Sequence, residues 1–170
     1  THGMGYTKFE AEKNGVKAVS TYFVGEYENC LIWNIKLTSD TDKKIKVFPY
    51  VELGMMEFMR ELQWQCYNKH QLSAYDMGDI LVYKYGVEMQ PKPDETPLVY
   101  FAVNKPIKGF DCDRDEFIGA YRSEENPQNI ENGGCTNSTL AGGDPCFALE
   151  VELDLKAGVE TELNVFLGTA

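Results

Sequence analysis

The chain has 170 residues, of which 43% are hydrophobic and 25% are charged, a balance typical of a soluble globular domain. Sixteen Lys and Arg against 27 Asp and Glu give a formal net charge of -11, which disfavours nucleic-acid binding because the phosphate backbone is itself negative. The sequence contains no apolar run near the roughly 20 residues that a membrane helix requires, so we expect no membrane partner.

The first forty residues predict antiparallel strands. Segments 6–11 and 16–24 flank Asn14-Gly15, and the tolerance of these two residues for positive φ predicts a tight hairpin. Apolar residues then alternate with polar ones, as in a half-buried strand, at Leu31, Trp33, Ile35 and Leu37.

The next elements are also strands. The polar residues 39–42 predict a turn, and 45–51 predict a further strand in which Pro49 indicates an edge or a bulge, because proline lacks an N–H. Three later segments are rich in aromatic and β-branched residues, namely 64–75, 79–85 and 98–104.

One short helix is predicted. Asp113 or Asp111 is a suitable N-cap for a helix that runs to Ile118, and Gly119 is a suitable C-terminal residue. The polar, glycine-rich stretch 123–144 predicts a long surface excursion.

The clearest alternation comes last. Apolar and polar residues alternate from 147 to 155 and again from 159 to 167, and the intervening turn predicts a hairpin. With about nine strands and one short helix, the sequence predicts an all-β fold, a large antiparallel β-sandwich that forms a single domain over residues 1–170.

The cysteines indicate a compartment. There are five, an odd number, and none forms a Cys-x-x-Cys pair, which argues against a zinc site and against a secreted, disulfide-stabilised domain. The sequence therefore predicts a cytoplasmic protein.

Catalytic and metal-binding motifs are not evident. Asp111, Asp113 and Asp115 have the spacing of a calcium loop, but its sixth position is Glu116 and its twelfth is Arg122, neither of which suits that motif. The two histidines have no Ser or Cys at motif spacing. We predict no metal site and no catalytic residue in this chain.

An aromatic and amide-rich stretch predicts a carbohydrate site. Sugar rings have apolar faces and a rim of hydroxyls, so flat aromatic rings beside amide and charged donors suit them. The candidate binding residues are Trp64, Tyr67, Asn68 and Lys69. Aromatic residues are also favoured in any β-sheet, and that alternative explanation stays open.

Three stretches carry a resemblance to a known family. They are His2-Gly3-Met4-Gly5-Tyr6-Thr7-Lys8-Phe9 continuing to Asn14-Gly15-Val16-Lys17-Ala18, Gly109-Phe110-Asp111-Cys112-Asp113-Arg114-Asp115-Glu116-Phe117-Ile118-Gly119, and Gly143-Asp144-Pro145-Cys146. In this order they resemble the N-terminal β-sandwich domain of family 94 glycoside hydrolases, the inverting phosphorylases that act on cellobiose, chitobiose and related β-glucosides. The likeness covers nearly the whole chain.

The resemblance implies a super-sandwich of the galactose-mutarotase type, followed in the full enzyme by an (α/α)6 catalytic barrel that this chain lacks. In such enzymes inorganic phosphate, a co-substrate rather than a cofactor, attacks the anomeric carbon and releases a sugar 1-phosphate. The barrel supplies the acid and the phosphate pocket. The resemblance further implies that this domain helps to form a homodimer, in which one of its loops reaches the acceptor-sugar subsite of the partner's barrel. In this chain that loop corresponds to Trp64-Gln65-Cys66-Tyr67-Asn68, where cellobiose-type members read Asn-Phe-Gln-Arg-Asn.

The expected function is therefore that of a non-catalytic domain of a β-glycoside phosphorylase, whose partners are a β-linked oligosaccharide, its own barrel and a second subunit. The chain lacks an initiator Met, and we expect it to be cut from a longer enzyme. Alternatives are an autonomous carbohydrate-binding module, the matching domain of a cyclic β-1,2-glucan synthase, and a purely structural assembly domain. The sequence downstream of Ala170 would distinguish the first alternative, because only an enzyme fragment would be followed by a barrel.

Overall fold

Thirteen strands and two short helices make up the secondary structure of residues 1–26, 28–54, 72–85 and 98–170, the part described by this computed structural model. The strands are β1 (His2–Gly3), β2 (Tyr6–Lys13), β3 (Val16–Val24), β4 (Cys30–Ser39), β5 (Lys43–Val47), β6 (Tyr50–Glu52), β7 (Leu72–Asp76), β8 (Ile80–Tyr85), β9 (Leu98–Val103), β10 (Gly109–Asp113), β11 (Leu140–Ala141), β12 (Pro145–Leu155) and β13 (Thr161–Thr169). The helices are α1 (Arg114–Ile118) and α2 (Gln128–Glu131).

The strands form two antiparallel sheets of unequal size. The large sheet has nine strands in the order β1-β2-β3-β4-β13-β9-β8-β7-β11. The small sheet has the order β10-β12-β5, and β6 also pairs with β12. The predicted all-β sandwich is confirmed, although the described residues contain more strands than the nine expected and a second short helix.

The N-terminal hairpin is confirmed. Strands β2 and β3 pair in antiparallel register from Tyr6 opposite Phe23 to Lys13 opposite Val16. The two residues between them have positive φ, 53° at Asn14 and 70° at Gly15, as their sequence predicts.

The predicted C-terminal hairpin is wrong. Strand β12 lies in the small sheet and pairs with β5, β6 and β10, whereas β13 lies in the large sheet between β4 and β9. Residues 156–160 therefore cross from one sheet to the other. The sequence does not distinguish a hairpin from two strands in different sheets. In both cases each strand has one apolar side that faces the core, so apolar and polar residues alternate with the same period of two.

Pro49 divides the strand predicted over 45–51. Strands β5 and β6 both pair with β12, but they are separate elements on either side of Phe48-Pro49. The Pro49 carbonyl still accepts a hydrogen bond of 3.1 Å from the Leu149 N–H. Pro49 therefore lacks only the hydrogen bond that a backbone N–H would have donated.

The core lies between the inner faces of the two sheets. Its aromatic rings form a chain of contacts in which Trp33 of the large sheet meets Phe101 at 5.5 Å and Phe101 stacks on Phe147 of the small sheet at 5.8 Å. Phe147, Leu149 and Val151 have no exposed surface, so the alternating apolar residues of β12 form the centre of the sandwich.

A second apolar cluster covers the opposite face of the small sheet. Helix α1 places Phe117 and Ile118 against Cys146 and Ala148, which lie on the outer side of β12. Strand β12 is consequently buried on both faces from Pro145 to Val151.

The stretch 123–144 contains more structure than the sequence predicts. It includes α2, which follows Pro127, and β11, which pairs with β7 at the edge of the large sheet. Proline before a short helical run is a recognised start signal, so this helix could have been expected.

Candidate functional site

The four predicted sugar-binding residues are Trp64, Tyr67, Asn68 and Lys69. All four fall in the stretch 55–71, outside the residues that the structure describes. Both ends of this stretch are described: Gly54 follows β6 of the small sheet, and Leu72 begins β7 of the large sheet. The stretch therefore connects the two sheets.

One short segment holds both ends of 55–71. The Leu53 N–H donates a hydrogen bond of 3.2 Å to the Pro145 carbonyl, and the Gly142 N–H donates one of 2.8 Å to the Leu72 carbonyl. We call residues 142–145 the junction segment. It brings the start and the end of the candidate sugar-binding stretch to one place on the sandwich.

The junction segment also receives helix α1. The Arg114 N–H at the start of α1 donates a hydrogen bond of 3.0 Å to the Asp144 carbonyl. Gly142 and Gly143 have φ of 87° and 134°, which L side chains adopt only with strain, so the path of the segment requires glycine. A turn at Gly142 and Gly143 agrees with the tolerance of glycine for positive φ.

A further connection ends on the same side of the sandwich. Residues 86–97 join β8 to β9, and the register pairs Leu72 with Tyr85 and Lys84 with Leu98. Leu98 and Ala170 exchange two backbone hydrogen bonds of 3.0 Å each. We call this side, where Leu72, Leu98 and Pro145 lie, the Pro145 end.

A polar cluster stands beside the junction segment. The Arg114 Nε donates to Glu52 Oε1 at 2.6 Å, and the Tyr50 hydroxyl donates to the same oxygen at 2.8 Å. A guanidinium nitrogen of Arg114 also contacts Glu124 at 3.4 Å. The Tyr50 ring stacks on the buried Phe117 of α1 at 5.2 Å and 17°. We call Tyr50, Glu52, Arg114 and Glu124 the Arg114 cluster.

The protonation states of the cluster support its hydrogen bonds. Burial raises the pKa of the Glu52 carboxyl, but hydrogen bonds from Arg114 and Tyr50 outweigh this effect and hold the pKa below its ordinary value. The hydrogen bond that Arg114 donates to Glu52 raises the pKa of the Arg114 guanidinium. Burial, and then the bond to Glu52, raises the pKa of the Tyr50 hydroxyl. The carboxylate is thus the acceptor of two donors.

Sequence reasoning missed the Arg114 cluster. Glu52 and Arg114 are 62 residues apart, and neither belongs to a motif that carries chemistry. The sequence signal that could have drawn attention to Arg114 is its place in residues 109–119, one of the stretches that carry the family resemblance. The sequence does not show which residues Arg114 contacts.

The three alternating aspartates have structural roles. The Asp113 side chain caps α1 by accepting the Asp115 N–H at 2.9 Å, which confirms the predicted cap. Asp111 is completely buried and accepts hydrogen bonds from Asn129, Thr136 and Ser138. In the part of the chain that the structure describes, no group of three or more His, Cys, Asp or Glu side chains is placed to hold a metal ion.

Four of the five cysteines are described, and all four are free thiols: Cys30, Cys112, Cys135 and Cys146. Burial raises the pKa of the Cys112 thiol to about 12, and it also raises the pKa of Cys135 and Cys146. Thiols held in the protonated form are poor nucleophiles, so these three do not constitute a reactive site. Neither helix in the described ranges has the length or the apolar composition to cross a membrane.

Comparison with known proteins gives relatives along the entire chain. The chain is 32% identical over 173 residues to N,N'-diacetylchitobiose phosphorylase of Vibrio furnissii and 28% identical over 172 residues to solabiose phosphorylase of Paenibacillus borealis. These alignments cover 98% and 100% of this chain but 21% and 22% of the two phosphorylases. The cyclic beta-(1,2)-glucan synthase NdvB of Rhizobium meliloti (strain 1021) is 27% identical over 99% of this chain and 6% of its own length. The chain thus spans about a fifth of the phosphorylases that it matches.

A solved structure supports the fold. A kojibiose phosphorylase from the human microbiome superposes with a TM-score of 0.56 over 97% of this chain and 17% of that chain, at 12% identity. The family described as "Glycosyl hydrolase 94, supersandwich domain" matches residues 1–170. The chain therefore belongs to the glycosyl hydrolase 94 family, of which it is the supersandwich domain.

Proposed function

We propose that this domain is the non-catalytic N-terminal part of an inverting β-glycoside phosphorylase. In the proposed reaction a phosphate oxygen bonds to the anomeric carbon, the glycosidic C–O bond breaks, and the oxygen of the leaving sugar takes a proton. The products are a sugar 1-phosphate and a shortened or single sugar. The observation that carries this proposal is the 32% identity to a disaccharide phosphorylase, which extends over 98% of the chain rather than over one motif.

The contribution that we propose for this domain is an acceptor-sugar contact from the stretch 55–71. Trp64 and Tyr67 would stack on the apolar face of the sugar, and Asn68 and Lys69 would donate hydrogen bonds to its hydroxyls. The ends of this stretch support the proposal, because the junction segment holds both of them at the Pro145 end. A stretch whose two flanking ends are held at one place is suited to present side chains from a rigid scaffold.

The remaining partners follow from the same proposal. The acid and the phosphate pocket would belong to a catalytic barrel, and in a homodimer the second subunit would receive the stretch 55–71. The two phosphorylase relatives are about five times as long as this domain, and this difference in length supports the proposal of a separate catalytic part. We also propose a cytoplasmic location, which the four free cysteines support.

The test is the variant Tyr67→Ala in the full-length protein, assayed in the synthetic direction with glucose or N-acetylglucosamine as acceptor and the matching sugar 1-phosphate as donor. Loss of a stacking face and a hydroxyl costs about 1–3 kcal/mol, so we expect acceptor kcat/KM to fall roughly 5- to 150-fold. Donor kcat/KM should change far less. Tyr121→Ala is the matched control, because the Tyr121 side chain is fully exposed on the connection after α1.

Two results would contradict this role. If Tyr67→Ala lowers the use of donor and acceptor equally, the side chain does not belong to an acceptor subsite. If the variant is destabilised by roughly 3–5 kcal/mol, Tyr67 is a core residue whose removal leaves a cavity.

A cyclic β-1,2-glucan synthase is the second candidate, and the match to NdvB over 99% of the chain favours it. Phosphate dependence distinguishes the two enzymes. A phosphorylase incubated with its oligosaccharide forms one sugar 1-phosphate for each bond cleaved and forms none without inorganic phosphate, whereas a synthase accumulates cyclic glucan. An autonomous carbohydrate-binding module would instead bind a glycan and produce neither compound.

A further inference from the structure

The small sheet covers only part of the inner face of the large sheet. Strand β10 contacts β7 near one edge of the large sheet, whereas Lys43, the first residue of β5, donates a hydrogen bond to the Asn14 carbonyl in the turn between β2 and β3. The order β10-β12-β5 therefore runs across the large sheet toward β2. In the described ranges no strand lies beyond β5, and most of β2 is exposed.

The aromatic contacts of the core continue past this limit. Phe9 of β2 meets Tyr22 of β3 edge-on at 5.6 Å, and Tyr22 meets the core residue Trp33 at 5.4 Å. The Phe9 side chain thus lies on the inner face of the large sheet, yet it is 59% exposed. Ala11 and Val24 share this face and are also exposed. Contiguous apolar side chains of this kind mark a surface against which another element packs.

The two edges of the small sheet differ in their hydrogen bonds. At the β10 edge, the Phe110 N–H donates to Asn137 Oδ1 at 3.1 Å, and the Cys112 N–H donates to the Ser138 carbonyl at 2.9 Å. Within residues 1–26, 28–54, 72–85 and 98–170, no backbone group bonds to β5 from the side opposite β12. A strand edge with unpaired N–H and C=O groups is a template for a further strand.

Charge disfavours a second copy of β5 as that further strand. Antiparallel pairing of two copies about Ile45 places Lys44 opposite Lys46 twice, and like charges directly opposite each other destabilise a sheet. Within this chain the two lysines contact β12, where Lys44 pairs with Glu152 at 3.1 Å and Lys46 with Glu150 at 2.6 Å. Their side chains therefore leave the unpaired edge of β5 open to a strand of different sequence.

We propose that the unpaired edge of β5, together with the exposed side chains of Phe9, Ala11 and Val24, is a docking surface for a β-strand of the same polypeptide from outside residues 1–170. This strand pairs with β5 at the usual spacing of about 4.8 Å, and the apolar side chains of its inner face cover Phe9. Acidic side chains on its outer face suit the positions beside Lys44 and Lys46.

The inference goes beyond the proposed function and rests on one part of it, namely that this domain belongs to a longer enzyme. The phosphorylase relatives, about five times as long as this chain, support that part. The added strand extends the core between the two sheets, because Phe9 already continues the contacts of Tyr22 and Trp33.

The first experiment measures hydrogen–deuterium exchange of the full-length protein by mass spectrometry, in a concentrated and in a highly diluted sample. An unpaired β5 edge leaves about half of the amides of 43–47 in fast exchange, because alternate N–H groups of an antiparallel strand point away from its one neighbour. We expect all of these amides to be protected at both concentrations. Residues 109–113 of β10, whose edge is already bonded, are the internal reference.

The variant Phe9→Ser tests the apolar part of the docking surface in the full-length protein. We expect a lower melting temperature and a return of the outward amides of 43–47 to fast exchange. A segment outside residues 1–170 should lose protection with them, which identifies the added strand. Tyr6→Ser is the matched control, because Tyr6 is a half-exposed aromatic residue on the opposite face of the same strand. It should change the melting temperature by less than about 2 °C and leave 43–47 protected.

The other outcomes overturn the inference. Fast exchange of half of the amides of 43–47 in the unaltered protein would show that the edge is unpaired. Protection that is lost on dilution would indicate a second copy, and loss of protection in a segment inside 1–170 would indicate a different cover. If Phe9→Ser behaves like Tyr6→Ser, Phe9 is not covered.

The proposed function is tested separately on the same preparation, by phosphate-dependent release of sugar 1-phosphate. Turnover together with an unpaired β5 edge refutes the inference and leaves the proposed function intact. A protected edge that meets the expectations above, without turnover, supports the inference and refutes the proposed function.

Discussion

Asp111 and Glu150 are buried carboxylates that attach a long connection to the small sheet. Asp111 accepts the Asn129 amide at 2.8 Å and both the N–H and the hydroxyl of Thr136 and Ser138. Glu150 accepts the Cys135 N–H at 2.9 Å and pairs with Lys46 at 2.6 Å. Buried carboxylates are tolerated when donors satisfy them, and here every donor named except Lys46 of β5 comes from the stretch that follows α1.

Asp111→Asn should destabilise the chain by about 3 kcal/mol. The substitution replaces charge-assisted hydrogen bonds by neutral ones and directs an NH2 group toward other donors, and each such bond is worth about 1.5–3 kcal/mol. The measurement is the free energy of unfolding from urea denaturation. Asp40→Asn, at an exposed position, is the control and should change stability by less than about 0.5 kcal/mol. An equally small effect of Asp111→Asn would contradict the structural role of this carboxylate.

At the scale of elements, β12 organises the small sheet. It pairs with β10 on one side and with β5 and β6 on the other, and it is buried on both faces over its first seven residues. Its outer face and the neighbouring β10 carry the thiols of Cys146 and Cys112, both without exposed surface. These strands therefore hold ionisable groups in their neutral form.

This burial predicts a loss of stability at alkaline pH. The Cys112 pKa is raised from 9.0 to about 12 by burial, so above pH 9 the unfolded chain releases a proton that the folded chain retains. Each such thiol lowers the free energy of unfolding by about 1.4 kcal/mol per pH unit as pH rises from 9 toward 12, and has no effect below that window.

Urea denaturation at successive pH values measures this slope. The double variant Cys112→Ala with Cys146→Ala should show a shallower decline above pH 9 than the unaltered chain. Identical slopes would mean that these thiols titrate alike in the folded and unfolded chains.

At the scale of the whole molecule, several connections between the strands and helices meet at the Pro145 end. The ends of 55–71 and of 86–97, the start of α1 and the Ala170 backbone are all bonded there. The opposite end has shorter connections, such as the Asn14-Gly15 turn and the 156–160 crossover, which is held by Asp42 through Lys156 and the Ala157 N–H.

The isolated 170-residue chain should not catalyse phosphorolysis. Attack of a phosphate oxygen on the anomeric carbon, with protonation of the leaving sugar, needs a positioned acid and an anion pocket, and the proposed function assigns both to a separate barrel. The measurement is sugar 1-phosphate release from N,N'-diacetylchitobiose or a β-glucoside with inorganic phosphate, with the full-length protein as the positive control. Turnover that remains with the chain through repeated purification would refute this division of labour.

Local features of the fold were predictable from the sequence. The Asn14-Gly15 hairpin, the Asp113 cap of α1 and the interruption at Pro49 each depend on backbone preferences of a few adjacent residues. The family resemblance, too, follows from residues in order along the chain, and the match over 1–170 confirms it. The sugar-binding residues of 55–71 remain a prediction from sequence.

Only the tertiary structure decided which strands share a sheet and which polar groups meet. Alternation from 147 to 167 is equally compatible with a hairpin and with two strands facing each other across a core, because period-two patterning specifies a face and not a partner. Glu150 follows that alternation yet is buried, since residues 133–135 cover its side of β12. The Glu52–Arg114 contact joins residues 62 positions apart. Such contacts depend on the packing of whole sheets, which no local preference encodes.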